Sequence, residues 1–306
     1  MSKTLIFGHK NPDTDSITSS LVMADLQTKL GHDVEAVRLG EFGKETQYIL
    51  DHFQLEAPRL IENLDGVESV MLVDHNEFGQ SADGIENVRI LAVVDHHRMA
   101  NFQTSEPLLY RAEPVGCTGT ILYKLYRENN IEITPTIAGL MASAIVSDTL
   151  LFKSPTCTPQ DEAAAKELAA IANLDLAVYG LEMLKAGTDL SDYSAEQLLS
   201  IDAKPFEMNG ITMEIAQVNT ASIPEMMERQ AEIEAAMATI IADRNLDLFF
   251  LAITDIINSN SQVIALGTAT GLVEKAYEVT LENNTVLLPG VVSRKKQIVP
   301  VLQNNA

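Results

Sequence analysis

Three runs of apolar residues in this chain each end directly in a cluster of aspartate and histidine. The runs occupy residues 4–8, 70–73 and 90–94, and the clusters begin at His9, Asp74 and Asp95. Because parallel strands present ligand-binding residues at their carboxyl ends, three such strands would aim these side chains into one crevice. Carboxylates repel one another at close range unless positive charge lies among them. The pattern therefore predicts a pair of divalent metal ions at the carboxyl edge of a parallel sheet.

Strand-like and helical segments alternate along the first half of the chain. We expect strands over 3–8, 34–38, 68–73 and 88–94, and helices over 16–30, 45–53, 115–129, 136–146, 159–172 and 176–185. Asp15 or Ser16 is the expected N-cap of the first helix. This alternation is typical of βαβ units, so the predicted fold class is α/β, with a mostly parallel N-terminal sheet flanked by helices.

A group of small and turn-forming residues at 187–192 predicts a linker to a second, smaller domain. We expect a metal-binding domain over 1–188, a linker over 189–193 and a second domain over 194–306. In the second domain, Asn209-Gly210 lies between strand-like arms and predicts a hairpin. A helix over 224–244, strands over 246–256 and 262–266, and strand-like arms around a basic cluster within 291–302 complete an α/β domain with a mixed sheet.

The composition indicates which kinds of molecule the chain can bind. The chain has 306 residues and a net charge of −22, which disfavours nucleic acid because phosphate backbones bind basic surfaces. A small phosphate substrate is compatible with this charge, since bound metal ions reverse the local potential. The residues before Asp13 are too few for a secretory signal, and the apolar stretch 139–152 is too short to span a bilayer. Cys117 and Cys157 are too few for a disulfide framework, so we predict a cytoplasmic protein without a membrane partner.

Each cluster also has an ordinary structural interpretation. Asp13 and Asp15 form an Asp-x-Asp pair, and such pairs often cap helices, so capping and metal binding both remain open for them. Asp74 could cap a helix in the same way. The run from Asp95 to His97 is a stronger signal, because each buried imidazole needs hydrogen-bond partners. The basic run at 293–297 is either a solvated tail or a phosphate-binding element, since fixed Arg and Lys side chains bind phosphate oxygens.

Two-metal hydrolysis is the chemistry that fits these residues. Two ions roughly 3.5–4 Å apart bind the attacking and leaving oxygens of a displacement, and a water between them becomes a hydroxide nucleophile near neutral pH. Carboxylates can bridge both ions because each has two oxygens. Mixed carboxylate and imidazole ligands suit manganese, cobalt or iron better than magnesium alone.

With these motifs, the chain resembles the manganese-dependent soluble inorganic pyrophosphatases (family II) of the DHH phosphoesterase superfamily along essentially its whole length. The matching motifs are Gly-His-Lys-Asn-Pro-Asp-Thr-Asp at 8–15, Val-Asp-His-Asn at 73–76, Asp-His-His at 95–97 and Ser-Arg-Lys-Lys-Gln at 293–297. Asp-His-His fits the whole superfamily, whereas the basic motif is specific. The resemblance implies hydrolysis of pyrophosphate to two orthophosphates by a bridging hydroxide. It also implies a homodimer and an active site between a DHH domain and a DHHA2-like domain.

The resemblance further implies a set of metal ligands. Two Mn²⁺ ions per subunit, with Co²⁺ as an alternative, would be held by His9 and Asp13, by Asp15 and His96, and by Asp74 and Asp148 as bridges.

The remaining site residues would act on the ligands or on the substrate. Asp95 would orient the adjacent histidine ligand without touching a metal. His97 would contact the substrate and could donate a proton or a hydrogen bond to the bridging or leaving oxygen. The phosphate groups, arriving with additional Mg²⁺, would be bound by Lys204, Arg294 and Lys295.

Other functions remain open from the sequence. Exopolyphosphatases and other phosphoesterases of this superfamily act on short polyphosphates or oligonucleotides. The nuclease branch commonly carries Gly-Gly-Gly-His, which this chain lacks. A non-catalytic metal or phosphate sensor would keep the metal ligands but could lose the proton donor and the cations, all of which are present here.

Overall fold

The computed structural model describes residues 3–190 and 192–306. Met1, Ser2 and Ser191 lie outside the described residues, and with them the start of the predicted first domain and the middle of the predicted linker at 189–193. By its internal contacts the chain divides into two compact units, Met1–Ala186 and Gly187–Ala306.

The N-terminal unit is built on a parallel sheet, as the apolar runs predict. Among the described residues, six strands have the order β3-β2-β1-β4-β5-β6, and every neighbouring pair is parallel. They are β1 (Thr4–Phe7), β2 (Val34–Arg38), β3 (Arg59–Leu60), β4 (Ser69–Val73), β5 (Arg89–Asp95) and β6 (Leu109–Ala112). The chain moves outward from β1 through β2 to β3 and returns to β4 on the other side of β1. Such a reversal opens a crevice at the carboxyl ends of the two strands, which is where α/β proteins bind ligands.

Six helices of the described chain belong to this unit. They are α1 (Thr14–Lys29), α2 (Lys44–His52), α3 (Thr118–Glu128), α4 (Pro135–Thr149), α5 (Pro159–Ala172) and α6 (Leu176–Gly187). Helix α4 is buried along most of its length and packs against α1, α3 and α5. It is therefore a fixed support for a side chain at its carboxyl end.

The predicted N-cap of the first helix is wrong. Helix α1 begins at Thr14, and Asp13 is its cap, with one carboxylate oxygen accepting from the backbone N–H of Ser16 at 2.9 Å. The side chain of Asp15 is instead turned into the interior, where it is fully buried. A cap must keep its carboxylate beside the exposed N–H groups at the helix start, so Asp15 cannot serve as one.

The C-terminal unit contains a mixed sheet, as predicted. Among the described residues its five strands have the order β11-β10-β9-β8-β7, and only the pair β8 and β9 is parallel. The strands are β7 (Ala203–Met208), β8 (Ile211–Thr220), β9 (Leu248–Asp255), β10 (Asn260–Gly267) and β11 (Thr285–Pro289). Asn209 and Gly210 both have positive φ and connect β7 to β8, so the predicted hairpin is confirmed.

The helices of this unit differ from the predicted elements in two places, residues 224–244 and residues 291–302. They are α7 (Ala195–Ser200), α8 (Ile223–Met227), α9 (Gln230–Arg244), α10 (Gly271–Tyr277) and α11 (Val299–Asn305). The expected helix over 224–244 is divided into α8 and α9 at Arg229, whose guanidinium donates to the carbonyls of Leu190 and Tyr193.

The strand-like arms expected within 291–302 are also wrong. The basic cluster forms a π-helical turn, Arg294–Ile298, which continues into α11. Ser293 caps this turn, and Gln297 accepts from the backbone N–H groups of Val292 and Ser293. Ile298 and Leu302 are both fully buried, whereas Pro300 between them is only partly buried, so the apolar spacing here has the helical period and not the strand period.

No helix within residues 3–190 and 192–306 combines the length and the apolar character that a membrane span requires.

Gly139 sets how closely α4 approaches α2. A methyl group at this position would lie 2.1 Å from Cζ of Phe53. We predict that Gly139→Ala lowers the free energy of unfolding by about 1–2 kcal/mol, because overpacking costs more than the gain in helix propensity. Chemical denaturation followed by circular dichroism measures this change.

Gly79→Ala is the matched control in the same unit. Apart from the chain neighbours of Gly79, no atom of the described residues lies within 4 Å of a Cβ placed there, so this variant should change stability by less than about 0.5 kcal/mol. Equal stabilities for the two variants would contradict the steric argument.

Candidate metal centre

The three acidic clusters converge at the carboxyl ends of β1, β4 and β5, which are neighbours in the sheet. Within the described residues, three groups of carboxylate and imidazole atoms are close enough to hold a metal ion. The groups are His9, Asp13 and Asp74; Asp15, His96 and Asp148; and Asp74, His96 and His97. In each group the candidate ligand atoms all lie within 4.8 Å of one another. The first two groups together contain all six residues predicted as ligands.

The first group is arranged around the ring of His9. Its Nδ1 lies 2.8 Å from the carbonyl of Lys10, which directs Nε2 toward the carboxylates. Nε2 lies 3.5 Å from Asp13 Oδ2 and 3.4 Å from Asp74 Oδ2. Because Asp13 caps α1 through Oδ1, its other oxygen remains directed at His9. Helix capping and metal binding are therefore compatible in this residue, although the sequence leaves them as alternatives.

The second group joins α1, β5 and α4. His96 Nε2 lies 3.7 Å from Asp148 Oδ2 and 3.3 Å from Asp74 Oδ1, while its Nδ1 lies 3.2 Å from the carbonyl of Val115. Asp15 accepts one hydrogen bond on each oxygen, from Ser19 Oγ at 2.6 Å and from the backbone N–H of Thr118 at 2.7 Å. These bonds fix the orientation of a carboxylate that has further lone pairs available for a cation.

Asp74 stands between the two groups. Its Oδ1 faces His96 and accepts from Thr118 Oγ1 at 3.2 Å, and its Oδ2 faces His9. The residue is 1% exposed, and Oδ2 has no hydrogen-bond partner among the described residues. An ionised oxygen without a donor is costly in a protein interior unless a cation is beside it. The carboxylate and imidazole donors around it suit a divalent ion such as Mn²⁺.

Hydrogen bonds around the third cluster hold His97. Asp95 is fully buried and accepts from Asn76 Nδ2 at 2.6 Å and from the backbone N–H of His97 at 2.9 Å. The ring Nδ1 of His97 lies 2.9 Å from the same carboxylate. The sequence predicts that Asp95 orients His96, whereas these described bonds orient His97. His75, between Asp74 and Asn76, is directed away toward Val73 and Ser81.

Two residues that support the ligands, Glu45 and Thr118, are not predicted from the sequence. Glu45 Oε1 accepts from Thr14 Oγ1 at 2.7 Å and from Ser147 Oγ at 2.5 Å, so it connects the start of α1 to the end of α4. Thr118 donates to both Asp15 and Asp74. In the sequence, Glu45 and Thr118 have the pattern of ordinary residues in the first turn of a helix. Only the fold places them beside the proposed metal ligands.

The crowding of carboxylates shifts their proton affinities. Burial, followed by the charge of Asp74, raises the pKa of Asp15 to about 7. Burial and the neighbouring aspartates raise the pKa of Asp148 well above its ordinary value. Burial alone would raise the pKa of Asp74, but the nearby imidazoles of His9 and His96 hold it well below the ordinary value. Burial also opposes protonation of His9, yet Asp13 and Asp74 raise its pKa well above the usual range. Protons therefore compensate the negative charge of this cluster when no cation does.

The predicted phosphate ligands lie in the C-terminal unit. The guanidinium of Arg294 donates to the carbonyl of Asp202 at 2.5 Å and to its Oδ1 at 2.7 Å. Lys204 is on β7 opposite Ile215 of β8, whose carbonyl lies 3.5 Å from Arg294 Nη1. The fold thus brings Lys204 and Arg294 to the same part of this unit, 90 residues apart in sequence. Lys295 is exposed on the same π-helical turn as Arg294.

Comparison with known proteins matches both units. The DHH family, N-terminal domain, matches residues 3–145, and the DHHA2 domain matches residues 181–305. The chain is 62% identical to a probable manganese-dependent inorganic pyrophosphatase of an Exiguobacterium species, over 100% of this chain and 99% of the relative. It is 60% identical to the manganese-dependent inorganic pyrophosphatase of Bacillus subtilis, over 99% of this chain and 98% of the relative.

A solved structure agrees with the fold of the whole chain. The crystal structure of a putative family II inorganic pyrophosphatase of Methanococcus jannaschii matches with a TM-score of 0.87 and 39% sequence identity. The match covers 98% of each chain.

We predict that Mn²⁺ stabilises this protein more at about pH 8 than at about pH 6. The raised pKa values of Asp15, Asp148 and His9 mean that the metal-free fold binds extra protons. The stabilisation that these extra protons give to the metal-free fold is lost as the pH rises through the folded-state pKa values. For Asp15 that pKa is about 7. A cation must displace the same protons, so it binds more weakly in acid.

Differential scanning calorimetry with and without Mn²⁺ across this pH range measures the effect. The metal-free chain is the control and should become less stable as the pH rises through the pKa of Asp15. An increase in melting temperature on Mn²⁺ addition that is equal or larger at the lower pH would contradict the linkage.

Proposed function

Since the chain belongs to the manganese-dependent inorganic pyrophosphatases, we propose that it hydrolyses inorganic pyrophosphate to two orthophosphates at a centre of two divalent ions. The observation that carries this proposal is the placement of Asp74, whose two oxygens face two separate groups of ligands. A carboxylate in that position suits a bridge between two ions. The identity over the full length supports the same activity.

The proposed ligand sets follow these two groups. His9 and Asp13 would hold one Mn²⁺, and Asp15 and His96 the other. Asp74 would bridge them, and Asp148, which lies in the second group, would be the other bridge. Two such ions neutralise charge on the phosphoryl oxygens and activate a water for attack on phosphorus. Co²⁺ accepts the same donors and is the proposed alternative metal.

His97 is the proposed proton donor to the bridging or leaving oxygen. Its Nδ1 faces Asp95. Burial alone would raise the pKa of Asp95, but the hydrogen bond to His97 and the charge of that ring lower it to about 2. Burial and the charge of His96 lower the pKa of His97 to about 4, so the free enzyme holds a neutral ring. The negative charge of a bound phosphate would favour the protonated ring, in which Nε2 becomes a donor as well as Nδ1.

We propose that Lys204, Arg294 and Lys295 bind the phosphate oxygens of the substrate. Arg294 is well suited, because Asp202 already holds its guanidinium in one orientation and its side chain is only 12% exposed. These cations would offset the negative charge of the phosphate groups.

Further proposals concern the state of the working enzyme. Additional Mg²⁺ would accompany pyrophosphate, because its charge is otherwise uncompensated in a protein of net charge −22. The same charge supports the absence of a nucleic-acid partner. We also propose a homodimer in the cytoplasm.

Turnover on three substrates tests the reaction. The protein should be stripped with a chelator, reloaded with Mn²⁺, Co²⁺ or Mg²⁺, and assayed with pyrophosphate, tripolyphosphate and a dinucleotide. We expect the highest rate with pyrophosphate, and higher activity with Mn²⁺ or Co²⁺ than with Mg²⁺ alone. Faster turnover of tripolyphosphate would favour an exopolyphosphatase, and full activity after exhaustive chelation would refute the metal centre.

His97→Gln should lower the turnover number by about 10²–10⁴-fold, because glutamine cannot transfer a proton. Its Mn²⁺ content should stay at the wild-type level, since the proposed ligands are all retained. Elemental analysis of the purified variant, together with steady-state kinetics, measures both quantities.

His32→Gln is the control, because His32 is exposed and lies outside the three ligand groups. It should leave rate and metal content unchanged. A wild-type rate in His97→Gln would remove His97 from the mechanism, and loss of Mn²⁺ would make it a ligand instead.

A further inference from the structure

A short segment that leads into the first residue of α3, residues 115–118, touches three of the proposed metal ligands without supplying one itself. The carbonyl of Val115 lies 3.2 Å from His96 Nδ1. The backbone N–H of Thr118 donates to Asp15 Oδ2 at 2.7 Å, and its hydroxyl donates to Asp74 Oδ1 at 3.2 Å. The position of this segment therefore fixes where three ligand side chains point.

The segment is anchored from α5 by a single carboxylate, that of Asp161. Asp161 is fully buried, and its Oδ2 accepts from the backbone N–H of Gly116 at 2.8 Å. Its Oδ1 accepts from Thr120 Oγ1 at 2.6 Å, just beyond the segment. The approach is close, because a Cβ on Gly116 would lie 2.9 Å from Asp161 Oδ2 and 2.9 Å from Thr149 Cγ2. Among the described hydrogen bonds of Asp161, none involves a residue of the acidic clusters or the basic run.

We propose that Asp161 is a positioning residue for the metal centre. By holding Gly116, it keeps Val115 and Thr118 where they orient His96 and Asp15. It would therefore set the affinity of the group formed by Asp15, His96 and Asp148 for its divalent ion. Among the described contacts, His9 and Asp13 receive no hydrogen bond from this segment. Their group is reached only through the 3.2 Å bond from Thr118 to the shared Asp74, so it should depend on the segment less. The inference rests on the proposed two-metal centre.

Asp161 has a second, purely structural role that must be separated from this one. It also accepts from the backbone N–H and the hydroxyl of Thr158, both at 2.7 Å, in the capping box that begins α5. Loss of Asp161 would weaken that cap as well as the anchor. Thr158→Ala removes the side chain of the cap and leaves the bond between Asp161 and Gly116 in place, so it is the matched control.

The test compares Mn²⁺ binding by the full-length wild-type protein, Asp161→Ala, Asp161→Asn and Thr158→Ala. Electron paramagnetic resonance of free Mn²⁺ gives the two dissociation constants, and calorimetry of the metal-free proteins gives their melting temperatures. In Asp161→Ala we expect one constant to rise by about 10–100-fold, as is typical when the partner that orients a ligand is lost.

The other variants separate anchoring from folding. Asp161→Asn keeps a carbonyl oxygen for Gly116, and the hydroxyl of Thr120 can rotate to accept from its amide, so binding should be restored. Thr158→Ala should lower the melting temperature and leave both constants unchanged. If Asp161→Ala does not fold, Gly116→Ala gives the same test, because its methyl group would push the segment away from Asp161.

Wild-type constants in Asp161→Ala, or in Gly116→Ala where that variant decides, would overturn the inference. Equal weakening of Mn²⁺ binding in Thr158→Ala would also overturn it, since the effect would then come from the cap. These results differ from a failure of the proposed function, in which the wild-type protein itself would bind fewer than two Mn²⁺ ions.

Discussion

Repulsion among buried carboxylates is the constraint on which this structure depends. Asp15 and Asp74 are almost completely withdrawn from water, and Asp148 lies close to both. Asp15 follows β1 at the start of α1, Asp74 follows β4, and the end of α4 adds Asp148 at the same point, so the fold itself creates the crowding. Without cations the cluster has to take up protons, which is why burial and like charge raise the pKa of Asp15 to about 7. The N-terminal unit is thus assembled around negative charge that only bound cations compensate at higher pH.

A layer of hydrogen bonds surrounds the carboxylates and fixes the orientation of the ligands before a cation binds. Glu45 connects the helices that carry Asp13 and Asp148, and Thr118 donates to both Asp15 and Asp74. Donors such as Thr118 satisfy part of a ligand carboxylate while leaving other lone pairs for a metal. Glu45 and Thr118 both lie on helices, and the packing of those helices in the core keeps the two side chains in place. Ligands held in this way lose little freedom on binding, which favours tight coordination.

The sequence predicts the centre of the site better than its surroundings. The strands before His9, Asp74 and Asp95 are recognisable because strands buried on both faces are apolar throughout. The ends of elements are harder, as the cap at Asp13 and the helical turn after Ser293 show, since capping and burial depend on tertiary contacts that local patterns do not contain. Glu45, Thr118 and Asp161 could not be identified as supporting residues from the sequence at all. The partners that connect them to the site lie between 31 and 103 residues away, and a polar residue in a first helical turn has the same local pattern whether or not it supports a ligand.

An acidic protein that acts on an anionic substrate must concentrate positive charge at the point of reaction. With a net charge of −22, this chain repels pyrophosphate at long range. Salt screens that repulsion beyond roughly 8–10 Å, so the charges within the site decide binding. Divalent ions would supply most of them, and Arg294, held by Asp202 and largely shielded from water, would add a fixed cation. Because metal binding requires the aspartates to release their protons, the positive charge of the site and the ionisation of its ligands would rise together with pH, and substrate affinity would follow metal occupancy.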